Sequence, residues 1–176
     1  MKILLKIVAA ILILVVFALI LAFFVPKDYR VERQIVINKS NTEIFDYVKQ
    51  VKNQDNFNIW VMADPQMKKE FVGTDGTVGF IYKWNGNDQV GEGEQEIKSI
   101  VEGYKTETEL RFKRPFESVG LSYFVTESAG PNETKVIWGM NGNSKYPMNL
   151  MNLFIDKMLG KDMDTSLQKL KTILEK

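Results

Sequence analysis

The residues that carry most enzyme chemistry are missing from this sequence: it contains no Cys and no His. That removes disulfides, thiolate nucleophiles, Cys/His zinc sites, haem ligation by imidazole and every histidine-based acid–base scheme. What is left must act through Asp, Glu, Lys, Arg or Tyr, which work only when a neighbour shifts their pKa and holds them against a substrate. Arg33, Tyr82 and Tyr104 fall where side chains are expected to face inward, yet none is paired at a spacing that implies joint work, and no catalytic residue is assigned. Glu92, Glu94 and Glu96 alternate and so share one face of an extended segment, an arrangement open to a cation but more typical of a sheet's wet side. Asp156, Asp162 and Asp164 lack the spacing and central Gly of an EF-hand and read as helix-cap and surface acids. The run Gly91-Glu-Gly-Glu-Gln-Glu96 has no third Gly of a dinucleotide loop, and Gly73, Gly76 and Gly79 are followed by no Lys-Ser/Thr. No metal site and no cofactor site is therefore expected. Asn132-Glu133-Thr134 is a formal glycosylation sequon, meaningful only in a eukaryotic secretory pathway.

Binding is better represented than catalysis. Phe80, Tyr82 and Trp84 alternate on one segment, Leu110 and Phe112 on another and Val136, Trp138 and Met140 on a third, while Met158 and Met163 belong to a helical stretch. Gathered on inward faces, Phe80, Tyr82, Trp84, Leu110, Phe112, Trp138, Met140, Met158 and Met163 would line a cavity of aromatic rings and adaptable thioethers, suited to an acyl chain or a polycyclic ligand. The same residues are also ordinary core material, and a packed interior would use them equally well.

The elements that must position these groups follow from periodicity. Tyr29 to Asn38 reads as a strand with Val31, Arg33, Ile35 and Ile37 on one face. Ser40 and Glu43 form a capping box that opens an amphipathic helix through Ile44, Tyr47, Val48 and Val51. Asn53 to Pro65 is a short helix or loop carrying Phe57 and Trp60. Six strands follow, near Met67–Gly73, Val78–Trp84, Gln89–Ile100, Tyr104–Phe112, Glu117–Ser128 and Thr134–Asn141, with Asn85-Gly86 as the strongest hairpin signal. Glu117 to Ser128 has no clear inward face. From Met148 the pattern is helical, with Leu159, Met163, Leu167, Leu170 and Leu174 as its stripe and a break expected at Gly160. Strand, helices, six-strand meander and long helix make an α+β domain, a curved antiparallel sheet around the last helix.

Ahead of this lies an unbroken apolar run from Ile7 to Val25, closed by Pro26. Its 19 residues span about 28 Å as a helix, close to a hydrocarbon core. A cleaved signal peptide would have a shorter apolar region and a small-x-small site, where this chain has Phe23-Phe24-Val25. The expectation is a retained transmembrane anchor at residues 1–27, crossing the membrane through residues 7–25, before a domain at 28–176. Basic residues flank the run on both sides, so the side of the membrane stays open. The net charge is +1, and setting aside Lys2, Lys6 and Lys27 leaves 20 basic against 22 acidic residues. With no clustered basic face, nucleic acid is not an expected partner.

The order of elements, and the strings Val31–Val48 (VERQIVINKSNTEIFDYV), Gly76–Ile97, Arg114–Ser118 (RPFES), Thr134–Gly142 and Pro147–Lys171, resemble the START-like superfamily, within it the polyketide cyclase/dehydratase-like (SRPBCC) proteins with an N-terminal anchor. These strings cover nearly all of the chain after residue 28 and are packing signatures, none of them catalytic. The resemblance implies a helix-grip fold with a cavity between sheet and terminal helix that holds hydrophobic ligands in many relatives. Three functions follow as expectations: a membrane-anchored binder or carrier of a lipid-like or other apolar molecule, a cyclase/dehydratase-like enzyme, or a protein-interaction module without a small ligand.

Overall fold

The computed structural model of the chain describes residues 2–176. Helix α1 (Lys2–Phe24) is apolar apart from Lys2 and Lys6 and almost wholly exposed, with Ala22 its one buried residue. It is long and apolar enough to cross a membrane, a property it shares with signal sequences. Strand β1 (Asp28–Ile37) follows, then α2 (Asn41–Val48), which starts where the capping box places it: the Ser40 side chain accepts from the Glu43 N–H and Glu43 reaches back to Ser40. The segment after it forms a 3-10 turn at Val51–Asn53 and two single-turn helices, α3 (Gln54–Phe57) and α4 (Ile59–Met62).

Strands β2 (Lys68–Val72), β3 (Ile81–Asn85), β4 (Glu92–Val101), β5 (Lys105–Arg114), β6 (Ser118–Gly130) and β7 (Glu133–Asn143) form an antiparallel meander. β1 joins its far edge, for the order β1-β7-β6-β5-β4-β3-β2. Irregularities at Glu92/Gly93, Ile97/Ser99 and Ser128/Gly130 interrupt the ladders. Extra residues of this kind bend a strand, and the sheet curves around its helix. The alternation expected for β5 is present: Thr106, Thr108 and Leu110 are buried while Lys113 is exposed. Tyr104 lies outside it, exposed in the β4–β5 turn.

The β3–β4 hairpin corrects the reading of Asn85-Gly86. The connection has six residues, and the left-handed backbone falls on Gly91 (φ 72°) instead of Gly86. It is closed by Gly86 N–H to Gly91 O (2.9 Å), and the Asn87 side chain accepts from the N–H groups of Gln89 and Val90. Asp64 Oδ2 accepts from the Asn87 N–H at 2.8 Å, so a contact from outside the hairpin selects the longer loop.

After a 3-10 turn at Met148–Met151, helix α5 (Asn152–Leu174) runs unbroken. Gly160 therefore does not interrupt it. It is buried because Arg33 crosses the helix there: a Cβ on Gly160 would stand 1.8 Å from Arg33 Nη2. Arg33 pairs with Asp156 (2.9 Å) and Asp164 (3.2 Å), so these two acids dock β1 to α5 instead of capping the helix. The buried apolar side chains separate into two cores. One lies under α5 and contains Val31, Ile44, Phe124, Trp138, Met163 and Leu167; the other, towards the β2 edge, contains Val51, Met67, Phe80, Tyr82 and Ile97.

Candidate ligand cavity

Between the two cores is a cavity of about 490 Å³, bounded by β3 to β7, the α3–α4 turns and the Leu159–Asp162 turn of α5. Its walls join residues from both cores: Val51, Met67 and Tyr82 on one side, Trp138 on the other. The aromatic floor depends on register. Trp84 pairs with Gly93 on β4, which pairs with Phe112 on β5, and over the bare Gly93 the two rings meet edge to face at 5.7 Å. A Cβ at Gly93 would lie 2.6 Å from both the Trp84 ring and the Arg111 carbonyl. Leu110 likewise stands beside a glycine, Gly120 of β6, which has no side chain to pack against it. Gln89 and Pro115, both exposed, mark where the cavity reaches the surface.

Of the nine residues named from sequence, Tyr82, Trp84, Leu110, Phe112, Trp138 and Met140 line this space. Three do not. Phe80 precedes β3 and packs into the second core, with its ring stacked on Phe71 at 6.4 Å. Met163 is fully buried in the first core, under the cavity wall rather than on it. Met158 is one position before Leu159, about 100° round the helix, and points to the surface.

Sequence reasoning missed most of the polar lining: Gln54, Asn58, Gln95, Ser122 and Asp162, together with Trp60. Gln95 was within reach, since Glu94 and Glu96 facing outward puts it inward. Ser122 was not, because β6 carries apolar residues on both faces, with Tyr123 and Val125 buried against the outer side. Trp138 Nε1 donates to Ser122 Oγ (2.9 Å), Gln95 Nε2 to Thr108 Oγ1 (2.9 Å), and Thr108 in turn to the Ser122 carbonyl (3.2 Å). Trp60 Nε1 donates to Asp162 Oδ2 (2.9 Å), so Asp162 is a wall residue and not a surface acid.

These polar groups satisfy one another, as buried polar atoms must. Two charged residues, Asp162 and Arg114, touch the cavity. Arg114 is held at the rim by Asn85 Oδ1 (2.9 Å) and the Gly86 carbonyl (3.0 Å). The Tyr82 hydroxyl points out of the cavity and donates to Asp55 Oδ1 (2.7 Å); burial first, then that carboxylate, raise its pKa, so it stays a phenol. Arg33, Tyr82 and Tyr104 are thus not brought together. The arrangement offers shape and apolar contact to a guest, with a few fixed dipoles to orient it.

No family model matches the chain, and no curated protein does. Solved structures do. A truncated norcoclaurine synthase from Thalictrum flavum superposes with a TM-score of 0.66 at 8% identity, covering 84% of this chain and 93% of that one. Ara h 8.0201 gives 0.61 at 12% identity, over 85% and 99%. Protein Ms6760 from Mycobacterium smegmatis gives 0.56 at 13% identity, over 82% and 90%. The chain has the helix-grip fold, START-like in architecture. At these identities the likeness extends to the helix-grip backbone alone. The Thalictrum flavum enzyme has also been solved with dopamine and hydroxybenzaldehyde, at a TM-score of 0.64 and 8% identity to this chain.

Proposed function

We propose that this chain binds or carries an apolar small molecule, lipid-like or aromatic, in the cavity between its two cores, held beside a membrane by α1 as a retained anchor. The observation that carries the proposal is the cavity itself: about 490 Å³ of space lined by Trp84, Phe112, Trp138, Leu110 and Met140. That volume lies within the usual range for small-molecule sites of ~300–1,000 Å³. Leaving such apolar surface unpacked sacrifices contacts that folding would otherwise gain, which makes a guest the natural filler. Phe23 and Phe24, bulky where a signal peptidase needs small residues, support retention of α1. A solved relative in fold with two small aromatic molecules bound supports the use of this architecture for small guests. Among the charged lining residues no nucleophile–base pair is formed, which favours binding over turnover.

The test uses the full chain in lipid nanodiscs with a photoreactive, diazirine-bearing fatty acid, followed by mapping of labelled peptides. Labelling of β5 and β7 around Leu110 and Met140, displaced by excess unlabelled fatty acid, is the expected result. Labelling confined to α1 would remove the carrier reading.

A further inference from the structure

The exposed large apolar residues outside α1 are not evenly scattered. Met148, Met151, Leu153, Phe154 and Met158 fall within one short stretch, the 3-10 turn and the first two turns of α5, each between 44% and 58% exposed. Met151, Phe154 and Met158 are spaced by three and four, so they form one stripe on the helix, and the exposed Lys157 and Lys161 border it. The opposite side of the same helix, through Leu159, Met163 and Leu167, is turned into the molecule. A water-facing surface rarely keeps such a patch, whereas an apolar stripe edged by lysines suits the boundary between headgroups and acyl chains.

The same stretch is fastened to the end of α1. Asn149, 1% exposed, donates through Nδ2 to the carbonyls of Ala22 (2.6 Å) and Val25 (2.7 Å). Asn152 donates to those of Pro26 and Lys27 (both 3.0 Å), and the Tyr146 hydroxyl to that of Leu19 (3.2 Å). The last carbonyls of a helix have no partner within it, and here the helix-grip body supplies a donor to that of Ala22 and to those of Val25, Pro26 and Lys27 just beyond the helix end. The connection is thus a clamp and not a swinging tether. Leu19 is five residues before Phe24, so Tyr146 meets α1 about 7.5 Å from its end. For a spanning helix that is the depth, about 5–10 Å, at which an interfacial apolar face sits.

We infer that the Met151/Phe154/Met158 face lies in the lipid interface where α1 emerges, so that the body rests against the bilayer. This rests on reading α1 as a retained span. Its consequence for the cavity is direct. Leu159, on the inward side of the same helix, lines the cavity, so the helix that would rest on lipid with one side walls the cavity with the other.

The absence of Cys makes the test clean, because one introduced thiol is unique. Phe154→Cys and, as a reference in the β4–β5 turn, Glu102→Cys are made in the full chain and labelled with an environment-sensitive fluorophore. Each is then reconstituted in phosphatidylcholine/phosphatidylglycerol vesicles with or without lipids spin-labelled near the headgroup. Flotation after an alkaline wash is scored in parallel. The expected result is a blue shift and loss of emission to the spin label at position 154, with neither at 102, in protein that floats. Floating protein whose label at 154 behaves like that at 102 would overturn the inference and leave the anchor intact. Protein that no longer floats would overturn the anchor, and the inference with it.

Discussion

Arg111 shows what the alternating acids of β4 do. It donates to Glu94 Oε1 (2.6 Å), Glu96 Oε2 (2.7 Å) and Glu109 across the outer face of β4 and β5, a charge network and not a cation site. The Glu96 carboxyl is held below its ordinary 4.5, first by Arg111 and then by Lys98; Glu107 shifts the same way through Lys105 and Ser99. A lowered folded-state pKa means the unfolded chain binds the proton more readily. The stabilisation is therefore complete above about pH 4.5 and lost as pH falls further. Thermal melting of the chain in nanodiscs, followed by Trp fluorescence, should show a midpoint that falls as the pH drops below about 4.5, with a shallower fall in Glu96→Gln. Asp162 allows a second test at this scale, since its acceptor satisfies the half-buried Trp60 indole. Asp162→Ala orphans that donor and should lower stability by about 1–3 kcal/mol, whereas Asp162→Asn keeps an oxygen in place and should cost much less. Equal losses in the two variants would show that the hydrogen bond is not what Asp162 contributes.

Elements whose signal is local were legible, and elements selected by distant contacts were not. The capping box at Ser40 and Glu43 is complete within four residues, and the helix begins there. The stripe Met163, Leu167, Leu170 is periodic, and all three are buried. By contrast, Asp64 determines the shape of the β3–β4 loop from outside it, and Arg33, 127 positions away in sequence, accounts for Gly160. Neither contact leaves a mark on the local pattern, so Asn85-Gly86 and Gly160 were read by their commonest uses. Substitution separates the two glycines of the loop. Gly91 is left-handed, and a Cβ there would stand 2.3 Å from the Arg114 carbonyl, a backbone atom with nowhere to go. Gly91→Ala should destabilise by about 2–4 kcal/mol, combining the left-handed penalty with overpacking. At Gly86 the nearest atoms are side-chain atoms of Val90 (3.0 Å) and Asp64 (3.1 Å), which can yield; Gly86→Ala should cost under about 1 kcal/mol. Comparing the two melting midpoints checks the assignment, and a tight Asn-Gly turn would reverse their order.

At the scale of the whole molecule, the separation of the core into two parts is the property from which the cavity follows. Six of the nine residues chosen by alternation reach the cavity because strand pleating is a local rule. Which inward residues meet packing and which meet space depends on how the curved sheet approaches α5, and no stretch of sequence encodes that alone. Phe80 and Trp84 share a face, yet one is sealed in the second core and the other borders the void. If the space is kept for a guest at the expense of stability, filling it should reverse both effects. Leu110 is suited to the purpose: it lines the cavity, and its β6 neighbour Gly120 has no side chain to obstruct a larger ring. Leu110→Phe should raise the stability of the unliganded chain by about 0.5–2 kcal/mol, as cavity-filling changes commonly do, while weakening capture of the photoreactive fatty acid. Added ligand should stabilise the wild-type chain by mass action and the variant much less, so that the gap between their melting midpoints narrows as ligand is raised. A variant that is destabilised although it still captures the probe normally would mean that the part of the cavity beside Leu110 is not where the ligand sits.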